Sequence, residues 1–284
     1  MKRGTAPLIL ILAGLGSPQI VRGQVPTLSP IQDLPGLGRV QAINKSGEIA
    51  ANAGDSGDEV QGVLIDPQGA VTEIRVPGSK QTRIYGMDNN TRIVGAYNLP
   101  DHGSGHGFLY FQGAFTTIDV PGGTDTTPRS INDPKDIVGD YNDSTGHRHG
   151  FLSKGGSNFT QIDVPGAVNT YIYGINNPGT IVGHYTDGQG HQHGFVSTGT
   201  GLTTVDVPFP GATDTFLYGV SNPGVIVGSY IDSAGTHGFV DVSGTFTMID
   251  APDTPPGIGT FARSVNDNGQ ILIYGVIAQL TGVS

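Results

Sequence analysis

The stretch Tyr-Ile-Tyr-Gly-Ile-Asn-Asn-Pro-Gly-Thr-Ile-Val-Gly, residues 171–183, holds two short β-rich segments separated by a turn. Tyr171 to Ile175 are mostly β-branched or aromatic residues, which favour strands. The pair Pro178-Gly179 predicts a type II turn, because proline presets φ and glycine accepts a positive φ. Asn176 is expected to cap this turn with its side chain. The stretch therefore predicts a tight β-hairpin.

Parts of this hairpin recur at nearly constant spacing along the chain. The pattern Ile-Val-Gly-x-Tyr begins at positions 44, 44 and 45 residues apart, namely Ile93, Ile137, Ile181 and Ile226. The triplet His-Gly-Phe ends at Phe108, Phe151, Phe195 and Phe239. A short polar residue precedes a turn at Asn44, Asp88, Asn132, Asn176, Ser221 and Asn266. The chain is therefore a tandem array of repeats of about 44 residues.

Each repeat contains enough turns to divide it into four strands. Asp187 to Gly190 and Thr198 to Gly201 are further turn signals within the repeat quoted above. Four antiparallel strands in about 44 residues are typical of a propeller blade, whereas a solenoid coil needs about 20 to 30 residues. The sequence predicts an all-β protein, a β-propeller with six four-stranded blades; five or seven blades are the alternatives. The last blade is expected to be closed by N- and C-terminal strands, with Thr27 to Gly36 as its outer strand.

The N-terminus has the pattern of a secretory signal. Lys2 and Arg3 precede an apolar run from Ala6 to Leu15, and small or compact residues follow near Gly23. An apolar run of about ten residues is too short to cross a bilayer, so no membrane insertion is expected after cleavage. The sequence predicts a signal peptide over residues 1–23 and a single propeller domain over residues 24–284. The expected location is secreted or periplasmic.

Composition excludes several classes of function. The chain has no Cys, which excludes a disulfide framework and thiolate chemistry. It has 24 Asp and Glu against 14 Lys and Arg, and removing residues 1–23 takes away three basic residues, which leaves a formal charge of 11 − 24 = −13. Such a surface repels nucleic acid and anionic lipid. No phosphate-binding loop, dinucleotide fingerprint or EF-hand loop is present, so no cofactor is expected.

The repeat resembles the HAF-type repeat of bacterial extracellular proteins. The resemblance is carried by Gly174 to Gly183, by His193 to Val196 and by Asp-Val-Pro-Gly with its variants, and it extends from about residue 36 to 276. That family usually has Ala where this chain has Gly in the His-x-Phe triplet. The resemblance implies an exported bacterial protein with a propeller-like fold. It implies no particular activity, because the family is defined by its repeats.

Candidate ligand-binding residues lie in the turns between the second and third strands of the repeats, which vary most from one repeat to the next. Variable loops on a rigid scaffold are the usual location of binding residues. The residues predicted to bind a ligand are Asp143, His147, Asp187, His191 and Asp232. The predicted partner is an extracellular glycan or protein, and the chain is expected to be a monomer.

Two histidine pairs suggest a metal site. His147 and His149 are two positions apart in the sequence, as are His191 and His193. The two members of each pair would project from the same face of a strand, where they could ligate zinc or copper. His191 and His193 are therefore the candidate metal ligands. The alternative is structural, because the histidine before Gly-Phe recurs once per repeat and would make the same local hydrogen bond in each. The tyrosine of Ile-Val-Gly-x-Tyr likewise suits either stacking on a sugar or packing between blades.

Catalysis is the alternative function. Asp119, Asp163, Asp206 and Asp250 recur before a Val-Pro or Ala-Pro step. This periodicity favours a structural bond over acid–base catalysis, and a glycosidase requires two carboxyl groups about 5 to 10 Å apart. Gly54-Asp55-Ser56-Gly57 resembles part of a serine-protease segment but lacks a matching His and Asp. No polar cluster occurs at one place only, so the sequence favours a non-enzymatic binding module over a carbohydrate-active enzyme or a metal-binding hydrolase.

Overall fold

The computed structural model describes residues 27–28, 37–54, 60–100, 105–199, 201–250, 259–273 and 276–279. The predicted signal peptide, residues 29–36 of the predicted outer strand, and residues 55–57 of the serine-protease-like segment lie outside these ranges. The described residues form strands and the turns that join them. Across these ranges, no helix is long and apolar enough to span a membrane.

Five blades each consist of four consecutive antiparallel strands. Blade 1 contains β2 (Leu37–Ile43), β3 (Ile49–Ala53), β4 (Gln61–Ile65) and β5 (Val71–Ile74). Blade 2 contains β6 (Gln81–Met87), β7 (Ile93–Asn98), β8 (His106–Phe111) and β9 (Ala114–Ile118). Blade 3 contains β10 (Thr124–Ile131), β11 (Ile137–Asn142), β12 (Arg148–Lys154) and β13 (Asn158–Ile162). Blade 4 contains β14 (Asn169–Ile175), β15 (Ile181–Thr186), β16 (Gln192–Ser197) and β17 (Leu202–Val205). Blade 5 contains β18 (Asp214–Val220), β19 (Ile226–Asp232), β20 (Gly235–Val242) and β21 (Thr245–Ile249).

A further four-stranded sheet combines both ends of the chain. It contains β22 (Ala262–Val265), β23 (Gln270–Ile273), β24 (Val276–Gln279) and the N-terminal strand β1 (Thr27–Leu28), and β1 pairs antiparallel with β24. The first strands of neighbouring sheets contact one another in sequence order, and β22 contacts both β18 and β2. These contacts form a circle around a central axis. The prediction of an all-β propeller is confirmed.

The turn after the first strand differs by one position from the sequence prediction. The Gly179 amide donates to the Asn176 carbonyl (3.0 Å), so Asn177 and Pro178 are the central residues. Gly179 follows them with φ of +89°, and the Asn176 amide donates to the Thr180 carbonyl (3.1 Å). This is a three-residue hairpin loop whose third residue is left-handed. The predicted type II turn was wrong, because the positive φ is required just after the turn and not within it.

At three of these turns, those of Asn132, Asn176 and Asn266, the polar residue joins neighbouring sheets. The Asn176 side-chain oxygen accepts from the Thr180 amide at 2.7 Å, as the predicted cap requires, while its nitrogen donates to the Ser221 carbonyl of blade 5 at 3.0 Å. The equivalent bond from Asn266 reaches the Asn44 carbonyl of blade 1, 222 residues away, at 3.0 Å. Buried bonds of this kind are costly to lose, because the orphaned carbonyl has no water to replace its partner. The turn residues therefore hold the circle of sheets together.

Each of blades 2 to 5 is packed around one phenylalanine. Phe108, Phe151, Phe195 and Phe239 are all fully buried. In blade 4, Phe195 lies opposite Gly183 of β15, and a Cβ on Gly183 would lie 2.9 Å from the phenylalanine ring and in contact with the Tyr171 carbonyl oxygen. The glycines of Ile-Val-Gly-x-Tyr thus permit a close approach. The approach is within the blade.

The glycine of His-Gly-Phe serves the packing between blades. Gly150 of blade 3 faces Ile172 of blade 4, whose Cδ1 atom would lie 2.7 Å from a Cβ on that glycine. Gly62 faces Ile84 of the next blade in the same way, with Cδ1 at 2.5 Å. Because these aliphatic side chains fill the space that a methyl group would need, this chain requires glycine in the triplet.

Candidate functional site

On one rim of blades 3, 4 and 5, a histidine lies between two carboxylates. In blade 4, His193 Nδ1 hydrogen-bonds to Asp206 Oδ2 (2.9 Å) and Nε2 to Asp187 Oδ2 (3.4 Å). The equivalent bonds in blades 3 and 5 measure 2.8 and 3.3 Å, and 2.8 and 3.2 Å. In blade 2, His106 Nδ1 binds Asp119 at 2.8 Å. The predicted recurring hydrogen bond is confirmed. The recurring aspartates after the fourth strand are its partners.

The tyrosine of each Ile-Val-Gly-x-Tyr motif completes this arrangement. Tyr185 is directly opposite His193 on the neighbouring strand, and the two rings stack with centroids 5.2 Å apart. The three other pairs have centroid separations of 5.1 to 5.6 Å. We call each histidine, its tyrosine and its aspartates a rim set. The ring of this tyrosine therefore covers the histidine of its own blade.

Paired carboxylates favour the protonated form of the rim histidines. An ionised carboxylate only accepts hydrogen bonds, so two of them around one imidazole suit a ring with two N–H donors. Partial burial lowers the pKa of His193, but its bonds to Asp206 and Asp187 outweigh this effect and raise the pKa above its ordinary value. The pKa of His149 is raised for the same reasons. The hydrogen bond to Asp250 raises the pKa of His237.

The predicted ligand-binding residues lie in the turns next to the rim sets. Asp187 Oδ1 accepts from the backbone amides of Gln189 (2.8 Å) and His191 (2.9 Å). Asp143 and Asp232 hold their turns by similar bonds. The hydrogen bond from the Thr145 hydroxyl is the main cause of the lowered pKa of Asp143. Burial raises the pKa of Asp187, but its backbone bonds outweigh this effect and lower it, and the bond from the Ala234 amide lowers the pKa of Asp232. Among the predicted residues, the aspartates thus order the turns. The imidazoles of His147 and His191 stand exposed at the surface.

The structure separates the two predicted metal ligands. His191 lies one residue before β16, in the turn, whereas His193 is within the strand with both ring nitrogens facing carboxylates. In the part of the chain that the structure describes, no group of three or more His, Cys, Asp or Glu side chains has the geometry to hold a metal ion. A metal at this pair stays a prediction.

A second polar region lies in the central channel, and sequence reasoning missed it. Every first strand has a β-bulge, at which its register against the second strand shifts by one residue. A bulge re-aims the extra side chain. We call these six bulge residues, which all line the channel, the bulge ring: Gln41, Tyr85, Arg129, Tyr173, Tyr218 and Arg263. Unlike the rim sets, the bulge ring does not repeat.

Arg129 of the bulge ring forms an ion pair with a buried carboxylate, and the equivalent strand positions of the other described blades have no such pair. Arg129 donates from Nε to Oδ2 of Asp140, and Arg148 donates from Nη1 to Oδ1 of the same carboxylate. The side chain of Asp140 is fully buried. Burial lowers the pKa of Arg129, but the Asp140 charge outweighs it and leaves the pKa above its ordinary value. Arg129 therefore remains charged, with its guanidinium carbon 4.4 Å from the Tyr173 ring centroid.

The position equivalent to Asp140 in blade 4 is a buried histidine. His184 stacks between Tyr171 and Tyr173, with centroids 4.9 and 5.2 Å away, and Phe216 meets it edge-on. Its Nδ1 atom is buried without a hydrogen-bond partner. Burial, with the charges of Arg129 and Arg263, lowers the pKa of His184 to about 3. This imidazole is neutral at ordinary pH.

The sequence carries a signal for this region within its repeated pattern. Asp140 and His184 occupy the x of Ile-Val-Gly-x-Tyr, and the same place holds Ala96 and Ser229 in the other copies. It is the variable position inside an otherwise constant pattern. The expectation that no singular polar cluster exists was wrong, because the cluster lies in the interior of the strands and not in the variable loops.

The fold and the two regions define a β-propeller with a repeated rim and an unrepeated channel. No protein-family model matches the chain, and no curated protein sequence matches it. Its fold is similar to that of TolB from Acinetobacter baumannii, with a TM-score of 0.59 at 14% identity over 78% of this chain and 56% of TolB. It is also similar to that of a prolyl endopeptidase, with a TM-score of 0.56 at 13% identity. This match covers 84% of this chain and 38% of the endopeptidase. The chain thus spans about half of the former and two fifths of the latter.

A third similar structure is the fucose-specific lectin of Aleuria aurantia. The TM-score is 0.52 at 14% identity, and the match covers 88% of this chain and 90% of the lectin. The lectin is described as a six-bladed β-propeller. At these identities the similarities establish the propeller fold.

Proposed function

We propose that this protein is an exported, non-enzymatic binding module built from HAF-type repeats, which recognises an extracellular glycan or protein through the turns beside its rim sets. The signal-like N-terminus and the acidic composition support export and argue against nucleic-acid partners. The similarity of the fold to a fucose-specific lectin over most of both chains supports a glycan as the first class to test.

The proposal includes a ring of six blades. The N-terminal strand β1 is the fourth strand of the last blade. Pairing of β1 with β24 supports this closure, as do the contact between β2 and β22 and the bond from Asn266 to the Asn44 carbonyl. Pairing with β1 covers the edge of β24, and covered strand edges reduce edge-to-edge aggregation.

The observation that carries the proposal is that equivalent turns are held alike but display different residues. In blades 3 and 4, an aspartate accepts turn amides through one oxygen and faces the rim histidine through the other. A loop fixed in this way loses little conformational entropy when it binds. The side chains displayed by the turns differ, and they include the exposed His147 and His191. Several such sites on one ring would bind a branched or repetitive ligand with avidity.

A glycan array probed with the full chain tests this function. The double variant His147→Ala with His191→Ala removes two displayed imidazoles without touching a rim set, and binding should fall on the order of 10-fold. Thr160→Ala, an exposed residue on the fourth strand of blade 3, is the control and should bind as the parent does. Absence of any glycan ligand would exclude the glycan form of the proposal, and equal binding by the double variant would contradict the proposed surface.

A further inference from the structure

The wide part of the central channel is a cavity of about 270 Å³ with basic and aromatic walls. Its eight lining residues include Arg39, Arg129 and Arg263, with Tyr85, Tyr173 and Tyr218, and no acidic residue. The chain as a whole has 24 acidic and 14 basic residues. A low-dielectric cleft that carries one sign of charge concentrates ions of the opposite sign. The cavity is therefore a basic site inside an acidic protein.

The two deeper arginines are not equivalent. Arg129 is neutralised by Asp140, which it shares with Arg148. Among the described residues, Arg263 has no hydrogen-bond acceptor or carboxylate partner, and its guanidinium carbon lies 4.4 Å from the Tyr218 ring centroid and 5.3 Å from that of Phe261. Stacking occupies the face of a guanidinium and leaves its in-plane N–H donors available. Arg263 is thus fixed by aromatic rings, and no described residue uses its N–H donors.

The geometry points to a further binding site, for a small carboxylate-bearing ligand of about the size of one sugar residue. We propose that Arg263 binds the carboxylate in the bidentate mode that its planar fork favours, and that Arg39 at the mouth of the cavity adds attraction. The three tyrosines would flank the body of the ligand, since aromatic rings bind the apolar faces of sugar rings and similar groups. A cavity just below the roughly 300 to 1,000 Å³ of drug-sized sites suits a small ligand. Acidic monosaccharides have this chemistry.

Titration with D-glucuronate, with D-glucose as the matched neutral probe, tests the site. The chain has no Trp, so tyrosine absorption and fluorescence can be followed without interference from indole, and three of the 10 Tyr that contribute line the cavity. Glucuronate should perturb the tyrosine signal and bind at least 10-fold more tightly than glucose. Arg263→Gln should weaken glucuronate binding about 10- to 100-fold, the range for hydrogen bonds to charged groups. Arg263→Lys keeps the positive charge but lacks the planar fork. Its affinity for glucuronate should therefore lie between those of the parent chain and Arg263→Gln.

The controls separate this site from the rim and from loss of folding. Arg75→Gln, an exposed arginine of blade 1, should leave glucuronate affinity unchanged. The double variant His147→Ala with His191→Ala should also keep it, so the rim function can fail without this site failing. Arg39→Gln changes an exposed residue, cannot disturb the core, and should weaken binding about 3-fold. Equal affinity for glucuronate and glucose, no binding of either, or full binding by both Arg263→Gln and Arg39→Gln would overturn the proposal.

Discussion

The rim and the channel of this propeller follow opposite rules. Blades 2 to 5 repeat the same histidine, tyrosine and aspartate on the rim, with nearly equal distances. The bulge ring contains Gln, Tyr and Arg, and the strand position next to it contains Asn52, Ala96, Asp140, His184 and Ser229. Repeated residues hold each blade in the same shape. Unrepeated residues collect where all the sheets meet, so the channel is asymmetric inside a symmetric frame.

This difference has a physical cause. A blade can fold only if its strands, turns and packing glycines match those of its neighbours, which constrains these positions alike in every repeat. The bulge aims one side chain per sheet away from the inter-blade core and into the channel. Such a side chain does not contribute to the repeated packing, so it is free to differ. The comparison predicts that equivalent substitutions have similar effects in every blade of the frame, whereas in the channel their effects differ from blade to blade.

The largest expected effect is at the asymmetric ion pair. Asp140→Asn leaves Arg129 buried without its carboxylate, and the free energy of unfolding should fall by about 3 to 5 kcal/mol. Ser229→Ala at the equivalent position of blade 5 removes one long hydrogen bond to Tyr218 (3.3 Å) and should cost less than about 1 kcal/mol. Urea unfolding of both variants measures this difference. Similar losses at the two positions would show that the channel positions are equivalent after all.

Substituting a glycine of the Ile-Val-Gly-x-Tyr motif tests the close packing within the repeated frame. Gly183→Ala places a methyl group against the Tyr171 carbonyl and the Phe195 ring, so unfolding free energy should fall by about 3 kcal/mol. Gly188, five residues away, has no atom within 4 Å of the place that a Cβ would occupy and no positive φ. Gly188→Ala should change the stability by less than about 0.5 kcal/mol. If Gly183→Ala were as stable as Gly188→Ala, the close packing around Phe195 would be disproved.

The free energy of unfolding should depend on pH in opposite ways for the buried His184 beside the channel and for the rim histidines. Because the folded pKa of His184 is lowered to about 3, only the unfolded chain binds its proton between that value and 6.5. Stability from a neutral His184 is therefore present above pH 6.5 and lost as the pH falls, by up to about 1.4 kcal/mol per pH unit. His184→Phe removes the titrating group and should flatten this acid slope in unfolding measurements from pH 6.5 to 4. An unchanged slope would place His184 in contact with water or a partner.

The rim histidines should affect the pH dependence of stability in the opposite direction and by a smaller amount. The folded pKa of His193 is raised, so its stabilising contribution is complete below pH 6.5 and is lost as the pH rises through the folded pKa. His193→Gln should therefore destabilise the protein at pH 6 and have less effect at pH 8.5, which thermal unfolding at the two pH values measures. A loss that is independent of pH would mean that the histidine acts only through packing.

Much of the frame was predictable from sequence. Constant spacing of Ile-Val-Gly-x-Tyr and His-Gly-Phe predicted four-stranded blades, because strand propensity and turn residues act locally. The turn after β14 was misplaced by one residue, since Asn-Asn-Pro-Gly is compatible with two loop registers. The hydrogen bond from Gly179 to Asn176 distinguishes them, and it depends on pairing of the whole hairpin.

The channel was not predictable by the same reasoning. Arg129 and Arg148 meet at Asp140 because a bulge turns one strand residue inward and a neighbouring strand supplies the other. Bulges leave no reliable residue signature, and periodicity emphasises positions that stay constant. The useful signal was the one variable position within a constant motif.

The most direct test compares two residues of the sixth sheet, three positions apart. Asn266 belongs to the repeated frame and bonds to the Asn44 carbonyl and two local amides, whereas Arg263 belongs to the bulge ring. Urea unfolding should show that Asn266→Ala lowers the free energy of unfolding by about 2 kcal/mol or more. Arg263→Gln should lower it by less than about 1 kcal/mol, the value of its contacts with aromatic rings. Equal losses, or a greater loss for Arg263→Gln, would contradict the assignment of Asn266 to the repeated frame and of Arg263 to a channel position that the frame does not require.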